Sequence, residues 1–224
     1  MNIAKEIAEY ALRIKAIKLQ PNKPFTWASG YKMPIYNDNR LSYLHPEFRK
    51  LIVSGFVELI KKNNIQFDII AGTPVAGIPH GILLANELNS PFIYPRKSQK
   101  DHGTKSKIEG IQNSSQLIGK RVLLIEDLIS TGKSSIESVN ILKENGAKVD
   151  VCLSIFTYGF KKADDFFREN NCEYRSILTF EKLISISEKN EYFSGEEIKI
   201  LRAWQDDPFN WQYKFGFNSG SQSR

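Results

Sequence analysis

The chain has 224 residues, 41% of them hydrophobic and 25% charged, which is ordinary globular usage; it excludes wholesale disorder and collagen-like architecture and leaves one substantial domain with at most a small appendage. Lys and Arg number 31 against 25 Asp and Glu, and a surplus of +6 is too small for a histone-like coat but suits a soluble enzyme of anionic substrates; charge alone leaves nucleic-acid binding open. Cys152 and Cys172 stand in no CxxC or Cys/His cluster, which argues against a zinc site or disulfide framework and reads as two reduced, buried fillers.

The first nineteen residues set Lys5, Glu6, Glu9, Arg13 and Lys15 into an apolar pattern, an amphipathic helix rather than a signal peptide. No run approaches the ~18 apolar residues of a membrane span, so the expected compartment is the cytoplasm. A Pro/Gly-punctuated stretch follows to residue 40. Phe48, Leu51, Ile52, Phe56, Leu59 and Ile60 recur at helical spacing and predict a helix over 47–63. A strand over 67–71 ends at Gly72, and a turn over 74–77 opens a helix over 78–88. A strand over 91–94 comes next. RVLLI at 121–125 is the clearest strand, an apolar run suited to burial on both faces. A helix over 133–145 is stopped by Gly146, and a strand over 148–156, a helix over 161–170 and a strand over 174–178 complete the pattern. The remaining residues predict one helix and an aromatic, polar tail. Strands alternating with helices argue for a parallel sheet covered on both faces, with ligands at the carboxyl ends of its strands. His45 and His80 read as structural.

The most informative segment is 122–135, VLLIEDLISTGKSS, in which an apolar strand runs into Glu126 and Asp127, a short loop over 128–133 follows, and a helix begins. Two adjacent acids at a buried strand end are costly unless something binds them, and ribose hydroxyls or a cation would do so. Ser130, Thr131, Gly132 and Ser134 lie at the helix N-terminus, where backbone N–H groups, the helix dipole and hydroxyls make a phosphate cradle. Together these describe a site for a phosphorylated pentose; an exposed turn is the plain alternative. A Walker A loop is excluded, because the position five before Gly132, where that motif needs Gly, is Asp127. Residues 96–110, RKSQKDHGTKSKIEG, read alone as a solvated charge run, but beside a phosphate cradle they become a candidate lid that delivers positive charge to a polyanion.

Residues 125–135 resemble the phosphoribosyl-pyrophosphate (PRPP) motif of the type I phosphoribosyltransferases, and the string RKxxKDHG at 96–103 resembles the catalytic loop of the orotate phosphoribosyltransferases. By that resemblance Glu126 and Asp127 contact the ribose 2′ and 3′ hydroxyls, and Leu128, Ile129, Ser130, Thr131, Gly132, Lys133 and Ser134 form the loop on the 5′-phosphate. Arg96, Lys97, Lys100 and His102 meet the diphosphate of PRPP, with Lys100, His102 and Asp127 in catalytic roles. The basic loop serves the neighbouring subunit, which implies a homodimer. Residues 71–79 resemble the pyrophosphate-binding turn and bring Thr73 to PRPP. Phe25, Ser29-Gly30, Lys32, Pro34 and Tyr36 resemble the hood over the base, with Tyr36 beside the pyrimidine and Ser130 also touching orotate. The implied fold is α/β, a Rossmann-like parallel sheet flanked by helices, with a hood and first helix over 1–45, a PRPP-binding core over 46–180 and a C-terminal helix and tail over 181–224. The implied reaction joins orotate to PRPP, with Mg²⁺ held mainly by PRPP and neither nucleic acid nor membrane as partner. A phosphoribosyltransferase for another base and a PRPP-sensing regulator are the alternatives. Three positions depart from the family pattern: Ala28 and the Val75-Ala76 stretch stand where lysines are common, and residues 156–159 (FTYG) hold no arginine for the orotate carboxylate. Backbone amides near Ser130, Lys32 and Arg40 remain its candidate holders.

Overall fold

The computed structural model describes residues 2–27, 29–96 and 107–217. Helix α1 (Ile3–Arg13) is capped by Asn2, whose side chain accepts from the Lys5 N–H, and it buries Ile3, Ile7, Ala8 and Ala11 along one face. Four short strands follow: β1 (Ile17–Leu19), β2 (Phe25–Thr26), β3 (Lys32–Met33) and β4 (Ile35–Asn37), with β1 paired antiparallel to β4 and β2 to β3. The sequence pattern predicts none of these strands, because two or three residues carry no periodicity and their pairing is set across the Pro/Gly stretch. A 3₁₀ turn over Asn39–Leu44 leads into α2 (Pro46–Lys62), which opens with proline in its first turn, where the missing N–H costs nothing.

The core then alternates: β5 (Ile69–Gly72), α3 (Gly77–Glu87), β6 (Phe92–Pro95), β7 (Ile108–Glu109), β8 (Val122–Ile129), α4 (Lys133–Glu144), β9 (Val151–Thr157), α5 (Lys161–Glu169) and β10 (Glu173–Thr179). The sheet order is β10-β9-β8-β5-β6-β7, parallel except for β7, which pairs antiparallel with β6. Period-two alternation feeds two cores. Ile70, Leu123, Ile125, Leu153 and Ile155 face a cluster that takes in α1, α2, α3 and the C-terminal helices, whereas Ile69, Ala71, Val122, Leu124 and Cys152 face α4 and α5. Both cysteines are buried and unpaired, as read from the sequence. Among the described residues no helix is long and apolar enough to cross a membrane.

Two expectations need correction. First, β8 does not stop at Ile125: it continues through Glu126, Asp127 and Leu128 to Ile129, so the acids lie inside a strand and the loop before α4 is only residues 130–132. The reason is non-local, since β9 pairs with β8 as far as Ile129↔Thr157, four residues past the point where β5 ends at Gly72↔Ile125. Second, the C-terminal region holds three helices among the described residues: α6 (Phe180–Lys189), α7 (Gly195–Asp206) and α8 (Trp211–Lys214). Thr179 caps α6, and a Ser194/Glu197 capping box starts α7. Trp204 and Trp211 are fully buried, so these two residues of the aromatic tail are core, whereas Phe209, Tyr213 and Phe215 are exposed.

Candidate active site

The chain runs from β5 outward to β6 and returns on the other side of β5 as β8, so the order reverses between β5 and β8. A crevice opens at the carboxyl ends of strands at such a point. Because β8 overshoots β5, Glu126 and Asp127 project where β5 has already ended, with Thr73 beside them on the turn that follows β5.

The two acids are not equivalent. Glu126 is only 5% exposed, and both its oxygens are engaged: Thr73 Oγ1 and the Asp127 N–H donate to Oε1 at 2.7 and 3.0 Å, and Ser135 Oγ donates to Oε2 at 2.9 Å. Burial, then the neighbouring Asp127 carboxyl, pushes its pKa up, against the opposing hydrogen bond from Thr73. Glu126 therefore ties the turn after β5 to the first turn of α4. Asp127 is half-buried, and its carbonyl accepts from Asn39 Nδ2 at 2.9 Å, which fixes the turn after β4 against β8. The Thr73 turn is equally tight: its N–H donates to the Ile125 carbonyl at 2.9 Å, and a side chain at Gly77 would run into Thr73 Oγ1 and that same carbonyl.

The predicted phosphate loop sits at the start of α4. Gly132, at φ +79°, is its N-cap, and no side chain caps the helix, so the first-turn N–H groups are left for a ligand. Ser130 and Thr131 are half-buried, and Lys133 and Ser134 are exposed. Leu128 and Ile129 belong to β8, and the Ile129 carbonyl accepts from Thr157 Oγ1 at 3.1 Å and from the Tyr158 N–H at 3.2 Å.

In the predicted hood, Tyr36 is 39% exposed on β4, its ring 5.8 Å from that of Phe25 and Lys18 Nζ 5.8 Å above its own. Tyr158, at the end of β9, is 2% exposed; burial, then the charge of Asp127 and the Tyr36 phenol, pushes its own phenol upward. Lys32 Nζ donates to Thr26 Oγ1 at 2.6 Å, and Arg40 makes a two-pronged pair with Asp38 at 2.7 and 2.9 Å, so both are engaged within the hood.

Of the basic segment, Arg96 pairs with Glu109 at 3.0 Å, and its N–H donates to the Lys107 carbonyl at 2.8 Å, which clasps together the residues flanking the segment. Lys97, Lys100 and His102 lie outside the described residues. Ser135, Asn39 and Tyr158 are additions that the sequence reading missed. A serine in the first helical turn is the only signal for Ser135; Asn39 reaches Asp127, and Tyr158 reaches Ile129, through tertiary structure alone. A separate cavity of about 890 Å³ lies at the opposite, amino ends of the strands. Its arginines Arg121, Arg168 and Arg175 already pair with Asp68, Asp165 and Glu173.

A family model described as phosphoribosyl transferase domain matches residues 42–189. An orotate phosphoribosyltransferase of Streptococcus agalactiae is 43% identical over 212 residues, covering 95% of this chain and all of that one. One from Listeria monocytogenes is 41% identical over 211 residues, covering 94% and 99%. In fold the chain is similar to the crystal structure of orotate phosphoribosyltransferase from Aeropyrum pernix, with a TM-score of 0.69 over 84% of this chain and 99% of that one, at 24% identity. Within the phosphoribosyl transferases, the chain belongs to the orotate phosphoribosyltransferase family.

Proposed function

We propose that the protein transfers the 5-phosphoribosyl group of PRPP to N1 of orotate, giving orotidine 5′-monophosphate and diphosphate in de novo pyrimidine biosynthesis. The observation that carries this reading is the meeting, at the switch point of a parallel sheet, of the half-buried Asp127 with the uncapped N-terminus of α4. A ribose would donate its hydroxyls to Asp127 while its 5′-phosphate takes the N–H groups and hydroxyls of residues 130–134. Glu126 holds this frame rigid from behind, and Thr73 presents the turn to the diphosphate. The base lies under the hood beside Tyr36.

The N1–C1′ bond forms as the C1′–oxygen bond breaks, and the diphosphate leaves with the electron pair. The ribosyl centre becomes oxocarbenium-like, as in glycosyl transfer generally. Orotate is anionic at neutral pH through its carboxylate, and the proton on its N1 must leave as the N1–C1′ bond forms, passing to solvent or to an oxygen of the departing diphosphate. The demand falls on the leaving group, whose growing charge Arg96, Lys97, Lys100 and His102 stabilise; one such donor is worth roughly 10²–10³ in kcat by analogy with oxyanion-hole groups. Excluding water from the site protects PRPP from hydrolysis. Among the described residues no group of three or more His, Cys, Asp or Glu could hold a metal. With Glu126 engaged, Asp127 is the carboxylate that remains, a sparse donor set suited to a hard cation that keeps substrate oxygens and water. Mg²⁺ bound there with PRPP would neutralise diphosphate charge.

We read the enzyme as a cytoplasmic homodimer. Leu44 and Val75 are 83% and 81% exposed, and Tyr43, partly exposed, donates to the Ala76 carbonyl at 3.4 Å, so apolar surface borders the diphosphate turn where a second copy would cover it. The direct test mixes the protein with PRPP, Mg²⁺ and orotate and follows loss of orotate absorbance, with adenine and hypoxanthine as controls. Turnover of orotate alone is expected. Turnover of a purine instead would reassign the base, and sequence-specific DNA binding without any turnover would favour a regulator.

A further inference from the structure

Helices α7 and α8 touch the residue that follows β9 and the β2–β3 hairpin at once. On the core wall, Gln205 Nε2 donates to the Tyr158 carbonyl at 3.3 Å, and the Trp204 ring meets the Tyr158 ring edge-on at 5.4 Å. On the hood wall, Gln212 Oε1 accepts from the Lys32 N–H at 2.8 Å, and Trp204 Nε1 donates to Met33 Sδ at 2.9 Å. Gln212 is 3% exposed and Trp204 fully buried, so these are core contacts made across more than 170 residues of sequence.

The β2–β3 hairpin has two residue pairs, Phe25↔Met33 and Thr26↔Lys32. A ribbon that small has no stability of its own and takes its position from what it packs against. The Lys32 N–H finds its acceptor in Gln212, and a buried amide without an acceptor is costly enough to shift the strand that carries it. The phosphate cradle is built from other parts, β5, β8 and α4, none of which Gln212 bonds.

We infer that α7 and α8 form a clamp that sets the spacing between the β2–β3 hairpin and the end of β9, and with it the fit of the pyrimidine, with Gln212 as its positioning residue. This rests on the reading of the hood as the base side of the site. It assigns a role to the tail and makes base recognition a property of the C-terminal helices as well as of the hood.

The test is Gln212→Leu in the full chain, which keeps the volume and removes the acceptor. Orotate KM should rise at least ~5-fold while PRPP KM stays within ~2-fold, since small displacements of a positioning group cost rate steeply and locally. Amide exchange in a peptide spanning residues 29–36 should quicken. Gln205→Leu, which frees the other wall, should give the same split and stands in if the first variant does not fold. Unchanged orotate KM and exchange in both variants, or a parallel rise in the two KM values, would overturn the clamp. If the wild-type chain does not turn over orotate, the functional reading is the one that fails, and exchange at Lys32 alone then decides the clamp.

Discussion

Glu126 and His80 are both buried, and their environments push them in opposite directions. Glu126 is driven toward its neutral form by burial and by Asp127, yet three donors hold it, so it serves as a tie between the turn after β5 and α4. His80, on α3, is 1% exposed, and neither ring nitrogen has a partner among the described residues; the Tyr43 ring lies 5.7 Å away. Burial, aided by the charge of Arg49, lowers its pKa to about 4 from 6.5. The unfolded chain therefore binds a proton that the folded chain refuses in this window, and stability is present above pH 6.5 and lost as pH falls toward 4. By pH 5 the loss from this one group should be about 2 kcal/mol. His80→Phe removes both orphaned nitrogens at similar volume. Urea unfolding at pH 7 and pH 5 should show the variant losing correspondingly less stability than wild type between the two; equal losses would mean that His80 is hydrated or paired.

At the scale of elements, what the sequence made legible is what local pattern can encode. The strand before the acids, the helix after Gly132 and the alternation of strands with helices follow from apolar runs and punctuation, and the acid pair with its Ser/Thr/Gly loop marks the expected site by composition. What the sequence did not disclose is set by pairing at a distance: β8 runs on through two acids because β9 supplies the ladder, β1–β4 are too short to carry a period, and the tie from Glu126 to Thr73 spans 53 residues. The loop into α4 shows both kinds of information. Gly132 sits at φ +79°, which its neighbours foretell, but a Cβ there would stand 3.1 Å from the Phe167 ring of α5, which they do not. Gly132→Ala should cost about 1–2 kcal/mol from the left-handed backbone alone, readable as a lowered Tm. Because the strain falls on the N–H groups that would face the 5′-phosphate, PRPP KM should rise by more than orotate KM. An unchanged PRPP KM in the folded variant would place the phosphate elsewhere.

At the scale of the whole molecule, the proposed function divides substrate binding from the charge that would draw off the leaving group. The ribose and phosphate groups are proposed to bind at the β5/β8 crevice, whereas the basic segment departs from the sheet edge at β6 and β7, clasped by the Arg96–Glu109 pair. If that segment serves a neighbouring copy, the two contributions can be separated genetically. Asp127→Ala disables the ribose side of a site and Lys100→Ala the diphosphate side, and each homodimer should be nearly inactive. Co-expressed with different tags and purified through both, the mixed dimer has one site carrying both lesions and one carrying neither, so it should recover roughly half the wild-type rate, as closed two-fold symmetry requires. If the basic segment acts on its own subunit, every site keeps one lesion and the mixed dimer stays inactive. If the chain is a monomer, the two tags never copurify, and the exposed Leu44 and Val75 need another explanation.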